Sequence, residues 1–139
     1  MATIDMQTMR YINLLDRIAH VRATKCFTYN NTIYFAVPYK LFSKALGPDN
    51  ENVKILAEQL GKRIRIVRDA RDDIAGISKF IESVVSPVGF VSLEVHDGTY
   101  ILTAGSRERA ATLIGRNKVR LEELNAVIES YFGKTIRIV

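Results

Sequence analysis

The chain of 139 residues has one cysteine, no tryptophan, two histidines and three prolines. A lone Cys26 cannot form an intramolecular disulfide, and no cluster of cysteine and histidine has the spacing of a structural zinc site. The usage fits a reducing compartment. No run approaches the roughly 18 apolar residues of a membrane span, and the first residues, MATIDMQTMRY, lack the basic flank and apolar stretch of a leader. A soluble, cytoplasmic protein with no membrane partner is expected. Glycine-rich dinucleotide fingerprints and metal-ligand spacings are also missing, so no cofactor and no metal are expected.

What is present is an apolar fraction of 47%, enough for a packed core, and 20 basic against 15 acidic residues, a net charge of +5. That excess suits an acidic partner such as nucleic acid without identifying one. The bases are unevenly placed. Residues 1–70 carry eleven bases and six acids, whereas residues 71–139 carry nine of each.

An internal repeat organises the chain. Gly61-Lys62-Arg63-Ile64-Arg65-Ile66-Val67 returns 72 residues later as Gly133-Lys134-Thr135-Ile136-Arg137-Ile138-Val139, identical at six of seven positions. Leu46-Gly47 and Ile114-Gly115 precede the two copies, and Val53, Leu56 and Leu60 match Leu121, Leu124 and Ile128. The interval from loop glycine to strand glycine is 14 residues in the first copy and 18 in the second, a difference of about one helical turn.

Each half reads in the same order. Tyr11, Leu14, Leu15, Ile18 and Ala19 predict a helix over 5–20, Asn30-Asn31 joins strands 25–28 and 32–37, and Pro38 opens a short helix to Leu46. Asp49 or Asn50 is expected to cap a longer helix that Gly61 stops before strand 64–67. In the second half Ile74, Ile77, Ile81 and Val84 stripe a helix ending before Pro87. Strands 88–96 and 99–103 turn at Asp97-Gly98, Ser106 caps a helix to Ile114, and a long helix reaches Phe132 before strand 135–139. The expected fold is α+β, two units at 1–68 and 69–139, each a three-stranded sheet covered by helices on one face.

Catalytic chemistry finds little support. His20 sits at a helix end and His96 beside a hairpin turn, with no partners that would make either an acid–base group. Asp72-Asp73 and Glu122-Glu123 are read as solvated charge, because adjacent residues point in different directions and the second pair sits on an exposed helix face. Gly133-Lys134-Thr135 ends like a P-loop, but position 128 holds isoleucine where the motif needs glycine, and the segment runs from helix into strand. No enzyme activity is expected.

The loop between the last two helices has the strongest chemistry. Gly115, Arg116, Asn117 and Lys118, followed by Val119 and Arg120, meet the positive end of a helix dipole, where a phosphodiester is attracted. Arg107 and Arg109 add charge, with only Glu108 opposing. Gly115 as a helix cap with solvated bases around it is the structural alternative. The first loop, Gly47, Pro48, Asp49 and Asn50, followed by Glu51, carries acids and no base. Lys62, Arg63, Arg65 and Arg68 cluster around the strand that follows it.

Helix, strand, strand, helix, glycine loop, helix, strand, carried twice, resembles a pair of type II KH domains. KH domains clamp about four nucleotides of a single strand with a GXXG loop against an apolar groove. In both units the final glycine of that motif is replaced, by Asn50 and by Lys118. The tandem arrangement is similar to the archaeal NusA-like transcription factors. That resemblance implies binding of single-stranded RNA in transcription elongation and termination or antitermination, and RNA polymerase as a further partner. It places Gly115, Arg116, Asn117, Lys118 and Arg120 on the RNA backbone, with Ile114 and Val119 in the groove. Gly47, Pro48, Asp49, Asn50, Arg107 and Arg109 follow as weaker sites. A protein-interaction module docking on RNA polymerase or a ribonucleoprotein, a ribosome-associated one included, is the alternative expectation.

Overall fold

The computed structural model describes residues 5–71 and 73–139. They form two compact units, one ending at Asp69 and the other running from Ala70 to Val139. Each is α+β with one three-stranded sheet.

In the first unit, α1 (Met6–Ala19) starts where the Asp5 carboxylate accepts a hydrogen bond from the Thr8 N–H at 2.7 Å. This satisfies one of the amide donors that a helix start leaves open. Ile12, Leu15 and Ala19 form its buried stripe. β1 (Lys25–Tyr29) and β2 (Thr32–Val37) pair antiparallel across Asn30 and Asn31, both left-handed, as a two-residue hairpin turn requires. A 3-10 turn, Tyr39–Leu41, leads into α2 (Phe42–Leu46), and a second, Pro48–Asn50, into α3 (Glu51–Leu60). β3 (Arg63–Arg68) then pairs parallel to β2, giving the order β1-β2-β3.

Side chains alternate across this sheet. Cys26, Ile33, Phe35, Val37, Ile64 and Ile66 point into a core shared with Leu15, Ala45 and Leu56 of the helices. The opposite face of β2, Thr32, Tyr34 and Ala36, is buried as well. Phe27 and Tyr34 face each other in the ladder and stack at 5.2 Å, while Arg65, next in the same row, lies 5.6 Å from the Tyr34 ring centre. The strict apolar alternation expected of a sheet with one solvated face is therefore not what β2 shows.

The second unit repeats the plan. The Asp73 carboxylate caps α4 (Ile74–Val85) through the Gly76 N–H. β4 (Ser92–His96) and β5 (Thr99–Thr103) form the hairpin at Asp97-Gly98, and Ser106 caps α5 (Arg107–Ile114). A 3-10 turn, Arg116–Lys118, precedes α6 (Val119–Phe132), and β6 (Thr135–Ile138) closes the sheet parallel to β5 in the order β4-β5-β6. β4 starts four residues later than the sequence pattern suggests, because its partner β5 ends at Thr103, opposite Ser92, and only Val91 adds a further hydrogen bond beyond it. α6 has 14 residues and α3 has 10, the extra turn that the repeat spacing requires. Leu102, Leu113, Leu124 and Ile128 are fully buried.

Candidate nucleic-acid interface

The second loop is shaped by its backbone. The Gly115 N–H donates to Ala111 O at 2.9 Å and closes α5. The chain then turns at φ 76°, ψ 170°, a region essentially reserved for glycine. A β-carbon there would stand 2.7 Å from Arg120 Cγ, so the position excludes a side chain on both counts. One 3-10 turn follows, held by Lys118 N–H donating to Gly115 O at 3.2 Å. Asn117 (φ 55°, ψ 29°) and Lys118 (φ 60°, ψ 21°) are both left-handed. That conformation costs an L-residue about 1–2 kcal/mol, less for asparagine. Arg116, Asn117 and Lys118 are all exposed at the start of α6.

The structure brings some of the sequence-derived residues together and separates others. Ile114 is half-buried at the end of α5, and Val119 is 43% exposed at the first position of α6. Arg120 has a different role from Arg116 and Lys118. Its stem packs beneath Gly115 and its guanidinium is ion-paired with Glu123, so it supports the loop from below. The reading of Glu123 as solvated charge is thereby corrected: it is half-buried and paired three residues back along the helix. The i, i+3 spacing of Arg120 and Glu123 was the available signal. Arg107 and Arg109 are exposed in the first turn of α5, about 9–12 Å of helix rise away from Gly115.

The first loop has the same backbone and different chemistry. Gly47 (φ 73°, ψ 174°), Asp49 (φ 51°, ψ 34°) and Asn50 (φ 57°, ψ 30°) reproduce the dihedral sequence of the second loop. Pro48, Asp49 and Asn50 are exposed, and Glu51 follows. The expected cap by Asn50 is not formed, because a left-handed residue carries its side chain away from the helix amides, and no side-chain bond caps α3. Asn52, five residues after the glycine as Arg120 is in the second loop, fills the space beneath. Its Nδ2 donates to the carbonyls of Lys44 at 3.3 Å and Ala45 at 3.1 Å, the open end of α2.

The remaining candidates have other surroundings. His96 Nε2 lies 3.1 Å from Glu94 Oε2 on an exposed strand. Cys26 is buried, and burial, with a smaller effect from the Asp5 charge, pushes its thiol up to about 12, far from the range of a reactive thiolate. Asp73 is a helix cap, and Asp72 lies outside the described residues. Thr135, at the end of the P-loop-like segment, hydrogen-bonds to Thr99 across the sheet, where helix runs into strand. Among the described residues no group of three histidine, cysteine or acidic side chains could hold a metal, and no helix is long and apolar enough to cross a membrane.

No family model matches the chain. Over 132 residues it is 25% identical to a protein of Halococcus morrhuae named "Probable transcription termination protein NusA", spanning 94% of this chain and 92% of that one. A protein of the same name from Thermoplasma acidophilum is 20% identical over 134 residues, 94% of this chain and 90% of its own length. Among solved structures, the crystal structure of APE1850 matches 98% of this chain and 100% of its own with a TM-score of 0.70 at 23% identity. That match is a likeness of fold.

Proposed function

We propose that the chain binds single-stranded RNA in transcription through two units of the type II KH kind, residues 1–68 and 69–139, with the second loop as the main clamp. The relatives named for transcription termination, similar along almost the whole chain, support the setting. The observation that carries the clamp is the pair of exposed cations, Arg116 and Lys118, in a glycine-led loop at the start of α6 whose Asn117 and Lys118 are left-handed. Backbone strain of this kind concentrates at ligand clamps, and the helix dipole adds a favourable potential for phosphate. Val119 and Ile114 offer the apolar surface beside it. The role is binding without catalysis, in the cytoplasm, with RNA polymerase as a second partner.

The test is fluorescence anisotropy of a labelled single-stranded RNA and a DNA of the same sequence. The unsubstituted chain should prefer RNA, since the 2′-hydroxyl distinguishes the two. Reversing both charges, Arg116→Glu with Lys118→Glu, should weaken binding by roughly tenfold or more at unchanged circular dichroism. Equal binding by the reversed variant would contradict the clamp. The acidic first loop favours a second reading, docking on a protein surface of the polymerase, and a pull-down that survives nuclease treatment would favour it.

A further inference from the structure

The first unit has the excess of positive charge but an acidic loop, so its bases lie elsewhere on its surface. Arg68 is the last residue of β3 and continues the alternation of Ile64 and Ile66, which directs it toward the helical layer. There its guanidinium carbon lies 4.0 Å from the ring centre of Phe42 and 5.1 Å from that of Tyr39. Phe42 packs against the core and anchors the arrangement. Tyr39, first residue of the 3-10 turn after Pro38, is 71% exposed. Lys40, next in the chain, and Lys44, in α2 five residues on, are exposed as well.

Two features separate this cluster from ordinary packing. Among the described residues no carboxylate pairs with Arg68, because the adjacent Asp69 accepts hydrogen bonds from Lys25 and Thr24. The aromatic pair is also particular to the first unit. At the matching distance before the second loop, the eight-residue α5 carries Arg107 and Ala110, where the first unit has Tyr39 in its 3-10 turn and Phe42 in α2.

We infer that Tyr39, held against Arg68, is a stacking platform for an unpaired RNA base, with Lys40 and Lys44 attracting the flanking phosphates. A tyrosine ring positioned by a guanidinium and otherwise open to solvent presents a π-face to any base, with less ordering cost than a free side chain. The two units then divide the work: the second holds the backbone at its loop, and the first stacks a base away from its own. The inference rests on the reading of the chain as an RNA-binding protein.

The chain has no tryptophan, so Tyr39→Trp introduces a single reporter. The probe is a labelled 12-nucleotide RNA of mixed sequence, titrated into the full chain. Tyr39→Ala should weaken binding roughly 5- to 100-fold with an unchanged salt dependence, Tyr39→Phe should bind nearly as the unsubstituted chain, and the Tyr39→Trp fluorescence should be quenched by RNA. Tyr39→Ala should stay folded and melt only slightly earlier than the unsubstituted chain, since it loses one exposed contact with Arg68. If Tyr39→Ala binds normally and Arg116→Glu does not, the platform is overturned and the clamp stands. If Tyr39→Ala loses binding and Arg116→Glu does not, the platform stands and the clamp falls. Failure of the unsubstituted chain to bind RNA overturns both and leaves the Tyr39 surface to a protein partner.

Discussion

Cys26 shows how the burial of one residue becomes a property of the whole chain. Its thiol is raised from the ordinary 9.0 to about 12, chiefly by burial. Between those values the unfolded chain ionises while the folded chain keeps its proton, so the stabilisation is complete below pH 9 and is lost as pH rises toward 12. The loss approaches about 1.4 kcal/mol for each pH unit. Burial raises Tyr34 and Tyr100 from 10.0 as well, and they add to the decline above that pH. Denaturant unfolding at pH 8, 10 and 11 should therefore show stability falling above pH 9 for the unsubstituted chain and a flatter profile for Cys26→Ala, whatever the variant loses at neutral pH. Equal slopes would contradict this account. At this scale the sequence was legible for exposed residues and poor for paired ones. Arg116 and Lys118 lie exposed as a polar loop suggests, whereas Arg120 differs from them only through Glu123 and the space beneath Gly115, which become apparent once α6 is built.

The two loops show that an element's shape and its chemistry are specified separately. Gly47 and Gly115 impose one backbone on Pro48-Asp49-Asn50 and on Arg116-Asn117-Lys118, although the side chains share almost nothing. A lysine at a left-handed position is destabilising, and strain of this kind concentrates at binding sites. Lys118→Gly should accordingly raise stability by roughly 1 kcal/mol while lowering RNA affinity. Thermal melts and anisotropy on the same preparation check this, and a variant that moves both in one direction would contradict it. Most element limits could be read from local signals: Asn30-Asn31 and Asp97-Gly98 for hairpins, Ser106 for a helix start. The misses have local causes. β4 is cut short by the length of its partner, and Asn50 gives up capping to the left-handed turn.

At the scale of the molecule, the duplicated GKxIRIV strand and the two glycine loops expose a two-unit α+β plan, because each copy keeps its apolar residues in register with its own helices. Burial of β2 on both faces was not legible, since Thr32 and Tyr34 look like the solvated half of an alternating strand. Nor was the Tyr39–Arg68 platform, whose members stand 29 residues apart in sequence and meet through β3.

The central claim is that RNA phosphates are held at the second loop, and the most direct measurement is the slope of log affinity against log salt for a single-stranded RNA. The unsubstituted chain should show a steep negative slope, and Lys118→Asp should make it shallower by about 0.7 for the contact it removes. A flat salt response, or a slope that Lys118→Asp leaves unchanged, would contradict the account.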